Sequence, residues 1–143
     1  MTIMENIPMG LETRFIVVVD DVDLGGWNSC KNLSVNFHLE QVEEGGEYGY
    51  KHWLPGCVEY PTITLERAMI AADAARVQAW LALQARQLIP GTAQITLLDA
   101  HVIPVYTWSL RNVYPMSWKG PNLSAGSSKV AMETLELAHE GFL

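Results

Sequence analysis

Charge is scarce in this sequence. Charged residues make up 17% of its 143 positions, against the ~25% usual for soluble domains. Lys and Arg together number 9 beside 16 acids, leaving −7 overall, and no basic run occurs anywhere. That excludes sequence-independent DNA binding, which needs clustered cations to displace counterions. Two cysteines, Cys30 and Cys57, cannot build a disulfide framework, and they suit a reducing cytoplasm. Long apolar runs are missing too. Phe15 to Val19 is far too short to span a bilayer, so the free subunit is not expected to insert into a membrane. The first residues lack both a positive n-region and an apolar h-region, and no secretory signal is expected. What is plentiful is apolar material, 49% of the chain. A chain of this length suits one domain, burying roughly 70% of its unfolded surface. Uncharged surface in such quantity points towards contacts with other subunits.

Catalytic constellations are equally absent. His38, His52, His101 and His139 are scattered, none beside Cys-x-x-Cys or within His-Glu-x-x-His, so no zinc spacing exists. Cys30, His38, His52 and Cys57 could meet in space, but strand and loop positions account for them more simply. Cys30 with a histidine would form a nucleophilic pair lacking an orienting third group and an oxyanion turn. Asp20, Asp21 and Asp23 resemble a calcium loop until the twelfth position, counted from Asp21, which is Asn32 instead of Glu. Gly45, Gly46 and Gly49 lack the Lys-Ser/Thr of a phosphate loop and have acidic neighbours. Trp27, Trp53, Trp80, Trp108 and Trp118 have no cations near them for base stacking, so packing and interfaces are their expected use. No catalytic residue, metal ligand or cofactor-binding residue is expected, and the chain reads as no enzyme.

Hydrophobic spacing predicts a β-rich α+β domain with about seven strands and one helix. Arg14 to Val19 is β-branched and reads as a buried strand, followed by turn signals at Asp20-Asp21 and Gly25-Gly26. Leu33 to Glu40 alternates strictly, which predicts a strand with Leu33, Val35, Phe37 and Leu39 on a core face. A glycine-bearing loop from Glu43 to Tyr50 runs on towards Leu54-Pro55-Gly56, and Thr62 to Leu65 resumes alternation. A helix is expected over Asp73 to Leu88, with Asp73 as N-cap and Pro90-Gly91 as its stop. Ala93 to Leu98 and Val105 to Arg111 read as strands, Tyr106, Trp108 and Leu110 sharing a face. Lys129 to His139 changes phase midway. A strand with a bulge near Thr134 fits it, while a helix would gather Ala131, Leu135 and Ala138.

The ordered pieces together resemble a family. They are Val19-Asp20 through Gly26-Trp27-x-x-Cys30, then Glu44-Gly45-Gly46, Leu54-Pro55-Gly56 and Tyr60-x-x-Ile63-Thr64-Leu65. The series continues with Tyr114-Pro115-x-x-Trp118-x-Gly120-Pro121-x-Leu123-x-Ala125. It ends with Val130-Ala131-x-Glu133-x-Leu135-Glu136-Leu137-Ala138-His139-x-Gly141. From about Phe15 to Gly141 the chain resembles the tail tube proteins of contractile phages, and more closely the inner tube proteins of phage-like bacterial injection particles. The resemblance implies one tail-tube domain over 1–143, with two antiparallel sheets forming a partly closed barrel and one flanking helix. It implies hexameric rings that stack into a hollow tube inside a contractile sheath, and the tube is driven through a target envelope. The implied partners are further copies of the chain, the sheath protein, and baseplate or hub and tube cap proteins. Assembly in a bacterial cytoplasm follows, as part of a phage-tail-like particle or a virion tail. Two departures stand out: Glu66-Arg67-Ala68 replaces a Lys-Arg-Gly run after Leu65, affecting a turn and a charge contact, and Tyr48 replaces a usual Asn.

Within such a tube, Ser34, Asn36, His38 and Glu40 are expected to line the channel with polar, mildly acidic side chains. The loop carrying Glu44, Gly45, Gly46, Tyr48, Tyr50 and Trp53 is expected to reach a neighbouring ring or subunit, its aromatics serving as anchors. With each copy at −7, stacking requires segregated or screened charge and apolar attraction. Two other readings stay open: a tube-initiator ring at the baseplate or a related single-ring secretion component, and a free-standing small binding domain or enzyme.

Overall fold

The computed structural model of the chain describes residues 15–43, 51–121 and 130–143. Nine strands and one helix occur among them, in the order β1 (Phe15–Val19), β2 (Val22–Trp27), β3 (Ser29–Lys31), β4 (Asn36–Glu43), β5 (Lys51–Glu59), β6 (Ile63–Ala68), α1 (Ala71–Arg86), β7 (Gly91–Leu98), β8 (Pro104–Lys119) and β9 (Met132–Ala138). They form two antiparallel sheets, one of seven strands in the order β2-β1-β7-β8-β9-β6-β3 and one of two, β4-β5. Phe15 to Val19 of the predicted Arg14 to Val19 strand form β1, and its Asp20-Asp21 turn leads straight back through β2. Gly25 and Gly26 lie inside β2, not in a turn.

The large sheet owes its shape to one long strand. β8 pairs with β7 along its first part and with β9 along its last part. The ladder slips between Pro115 and Ser117, where proline withholds a donor and a bulge can turn the strand. The end strands β2 and β3 are separated in sequence by Asn28 alone, yet they stand at opposite ends of the strand order. The sheet therefore bends round until its ends lie side by side, and the Asn28 amide donates to the Glu66 carbonyl at 2.9 Å. No ladder closes it into a barrel among the described residues. The core fills the bend. Val17, Val19, Leu24 and Trp27 from one side meet Ile63, Leu65, Leu135 and Leu137 from the other.

Helix α1 places Val77 and Trp80 against this core. It starts two residues before Asp73 and stops two before Leu88. Ile70 is its N-cap residue and, being aliphatic, makes no side-chain bond; Asp73 lies in the first turn, its carboxylate 3.9 Å from Arg67 and 3.7 Å from Arg76. Extended Gln87 ends it ahead of Pro90. Strand β9 carries no bulge at Thr134: its ladder with β6 runs unbroken from Met132 to Leu137. Its buried face is Glu133, Leu135 and Leu137, and a charged residue on that face disguised the alternation. After β9 the chain hooks back, the Arg111 amide donating to the Gly141 carbonyl and the Leu143 amide to the Ser109 carbonyl.

Gly25 sits where helix, β2 and β6 converge. Its φ is +86°, and a Cβ there would come 2.7 Å from Asp73 Cγ and 2.8 Å from an Arg67 guanidinium nitrogen. Gly25→Ala is therefore expected to cost about 1–3 kcal/mol of stability, read as a lowered urea midpoint. A midpoint equal to the native one would show that the approach is not close.

Candidate functional site

The small sheet is the unusual element. β4 and β5 touch chiefly each other, so both faces of this ribbon are open to solvent in the single chain. A two-stranded ribbon gains little stability alone. Its register explains which residues share a face. Phe37 opposes Val58, Leu39 opposes Pro55 and Gln41 opposes Trp53, giving one largely apolar face. Glu40 opposes Leu54, Val42 opposes His52, and Asn36 opposes Glu59 on the other face. There His38 Nε2 and Glu59 Oε2 lie 2.8 Å apart.

The stretch ending at Leu54-Pro55-Gly56 is strand, not loop. One extra residue in β5 shifts the register between Phe37 and Leu39. Gly56 permits this, since a Cβ at that position would fall 2.6 Å from the His38 carbonyl oxygen. Pro55 is tolerated because bulges and edge strands accept proline.

Of the strand expected over Leu33 to Glu40, the part from Asn36 onward forms within β4 and keeps its alternation, residues 33–35 being irregular, but the core face is a correction. Leu33 packs against the core, whereas Phe37 is 66% and Leu39 49% exposed. The sequence period fixes which residues share a side and does not say what covers it. Asn36, His38 and Glu40 do share the polar side, and exposed Ser34 precedes them, its hydroxyl donating to the Asn32 carbonyl at 3.5 Å. Trp53, 60% exposed, stands on the apolar side. Glu44, Gly45, Gly46, Tyr48 and Tyr50 lie outside the described residues.

Nothing among the described residues gathers three metal-ligating side chains. Cys30 lies in β3 against the core, where burial pushes its thiol up to about 11. It stays protonated near neutrality, which suits neither a nucleophile nor a ligand. Asp99 holds the β7–β8 turn instead of doing chemistry, accepting from the Ile103 amide at 2.9 Å and the His101 amide at 2.8 Å. These donors, Ile103 first, hold its carboxyl below the ordinary value.

One charged centre escaped the sequence reading. Arg67 and Glu133 are cross-strand partners on β6 and β9 and both are fully buried. The guanidinium donates to the Leu24 carbonyl at 2.6 Å and the Gly26 carbonyl at 3.2 Å, and reaches Glu133 Oε1 at 3.4 Å. It also lies 3.9 Å over the Trp27 ring, and the Trp118 indole N–H points to the same Glu133 oxygen at 3.4 Å. Glu66-Arg67-Ala68 is thus strand, not turn. The signal was present: Ile63, Leu65 and Arg67 continue one period, as do Leu137, Leu135 and Glu133. Charge made those positions look exposed.

Comparison with known proteins gives this fold a place. The chain matches the family described as T4-like virus tail tube protein gp19 over residues 11–143. A chain in the six-fold symmetrised baseplate structure of the anti-feeding prophage is 28% identical, with a TM-score of 0.72 and coverage of 92% of each chain. A chain in the extended sheath–tube complex of the PVC extracellular contractile injection system is 23% identical, with a TM-score of 0.71, covering 92% of this chain and 87% of that one. Hcp1 from Salmonella typhimurium shares the fold at 11% identity and a TM-score of 0.54, covering 88% of this chain and 81% of that one. No curated protein sequence matches significantly. The chain belongs to the T4-like tail tube protein family, a family of structural tube proteins and not of enzymes. It is an inner-tube subunit, a part of a phage tail or phage-tail-like particle.

Removing one partner of a buried pair strands the other charge. Glu133→Ala is expected to cost about 3–5 kcal/mol, measured by urea unfolding. Arg67→Met combined with Glu133→Leu should cost less than the two single changes summed. Simple additivity would show that the pair is not coupled.

Proposed function

We propose that this single tail-tube domain, 1–143, closes into hexameric rings that stack into the hollow tube of a contractile injection particle. The apolar ribbon face is the observation that carries the reading. Phe37, Leu39, Trp53 and Val58 are exposed on one side of one ribbon, and covering what remains open of each is worth on the order of 1 kcal/mol. A neighbouring copy is the partner that a self-assembling subunit always has at hand. A ring needs head-to-tail contacts, since a two-fold patch closes at a dimer. The outer edges of β4 and β5, each strand being paired on one side only, offer directional bonds for such contacts. The six-fold symmetry named for the anti-feeding prophage baseplate supports a hexamer.

In the tube the ribbon's two faces divide the work. The apolar face, with Trp53, and the segment bearing Glu44, Gly45, Gly46, Tyr48 and Tyr50 meet neighbouring copies. The polar face, with Asn36, His38 and Glu40, and Ser34 beside it, lines the lumen and offers cargo little to adhere to. Sheath, baseplate and cap proteins are the further partners, as the sheath–tube, baseplate and tube-terminating cap structures of the similar proteins support. Assembly takes place in a bacterial cytoplasm, and contraction then drives the tube through a target envelope. One observation favours a second role, initiation of the tube: the 28% identical chain belongs to a baseplate structure.

Phe37→Glu combined with Trp53→Glu is expected to abolish rings in negative-stain images. The unfolding midpoint of the single chain should stay close to native, because exposed positions contribute within about 0.5 kcal/mol. Rings of normal diameter from this variant would overturn the assignment of the ribbon face. Long tubes from the native chain alone would favour the main-tube role over initiation.

A further inference from the structure

His139 directly follows β9 at the point where the ribbon leaves the body, and it is 7% exposed. Its ring lies 5.3 Å from Tyr60, which directly follows β5, and 5.5 Å from Phe142 of the C-terminal hook. Tyr60 and Phe142 also meet edge-on at 5.8 Å. The Gly141 amide donates to His139 Nδ1 at 3.2 Å, a bond that requires Nδ1 to be unprotonated. The proton of the neutral ring is then on Nε2, which is buried without a partner. Burial holds the pKa of this imidazole below its ordinary value.

Among the described residues no carboxylate forms an ion pair with the His139 ring. A cleft of about 710 Å³ between ribbon and body is lined by His38, Glu59, Tyr60, Arg111, His139 and Glu140, among others. Arg111 on β8 is a like charge, its Nε donating to the Glu140 carbonyl at 3.0 Å. Glu140 on the hook takes the Asn112 amide at 2.6 Å. Glu59 on the ribbon is paired with His38 at 2.8 Å. Both carboxylates are engaged elsewhere, and protonation at Nδ1 would set N–H against N–H at Gly141.

We propose that His139 is an acid-sensitive latch: protonating it releases the hook and the ribbon base together, and so weakens assembly through the ribbon face. The second half rests on the ribbon being the assembly surface; the first half does not. The native fold keeps His139 neutral, so the unfolded or opened chain takes the proton first. The latch is fully closed above about pH 6.5, the ordinary imidazole value, and is lost as pH falls through the lower folded value.

Hydrogen exchange, corrected for intrinsic rates, tests this on the whole chain at pH 7.5 and 5.0. Protection at residues 57–60 and 141–143 is expected to fall together in acid, by a factor bounded at about thirty, the limit that the ordinary imidazole value sets between these two pH values. His139→Phe keeps an aromatic ring and cannot titrate; His139→Gln keeps an acceptor and cannot titrate. Protection in either folded variant should not change with pH, whereas His101→Gln, on the exposed β7–β8 turn, should behave like the native chain. Native protection independent of pH, or an unaltered acid response in the His139 variants, would overturn the latch. Ring yield at both pH values is the second arm. Acid opening seen by exchange without loss of rings would leave the latch standing and remove its link to assembly. Absence of rings at pH 7.5 would count against the tube reading alone.

Discussion

The buried guanidinium of Arg67 stands at the junction on which the rest of the fold depends. Strands β2 and β3 close the bend of the large sheet without a ladder between them, so beyond the Asn28-to-Glu66 backbone bond that seam relies on side chains. Arg67 reaches from β6 across it to the Leu24 and Gly26 carbonyls of β2, lies over Trp27, faces Glu133 on β9 and approaches Asp73 on the helix. Five donors in a rigid plane suit this task better than a flexible ammonium. Burying such a charge is costly unless its partners are in place, so the arrangement forms as a whole or not at all. Gly25 belongs to the same junction, because only a residue without Cβ leaves room for Asp73 and Arg67.

A body sealed this way contrasts with the ribbon beside it. The core strands bury one face each, as a stable sheet must. The ribbon buries neither, and its apolar side chains have no place in the body because β4 and β5 leave it altogether. In the proposed tube these side chains would be covered by neighbouring copies. His139, Tyr60 and Phe142 tie the ribbon to the body through aromatic contacts and one weakly held amide. Stability is thus concentrated at the Arg67 junction and thin at the ribbon's root, which is where adjustment to a neighbour would be needed.

Much of this was legible from the residues. β1, β6 and β7 followed from β-branched and alternating runs, and the helix from its Ala-rich stretch before Pro90. The phase of β4 separated Asn36, His38 and Glu40 from Phe37 and Leu39, as the pleat requires. Errors arose where a local rule met a distant partner. Leu54-Pro55-Gly56 carries turn residues, yet it is strand because β4 pairs with it and Gly56 admits the His38 carbonyl. Glu133 and Arg67 interrupt hydrophobic runs, yet each is buried because the other opposes it.

The sequence by itself determined the class of the chain, its strand periods, the absence of clustered cations and ligands, and the ordered motifs of the tail tube family. These properties are carried by neighbouring residues or by composition, so they can be read along one dimension. Only the tertiary structure decided that the seven-stranded sheet bends until its ends meet, that a charge pair seals the seam, and that the ribbon's apolar face is left uncovered. Each depends on which residues far apart in the chain become neighbours, and hydrophobic spacing records a side for every residue without recording what lies opposite.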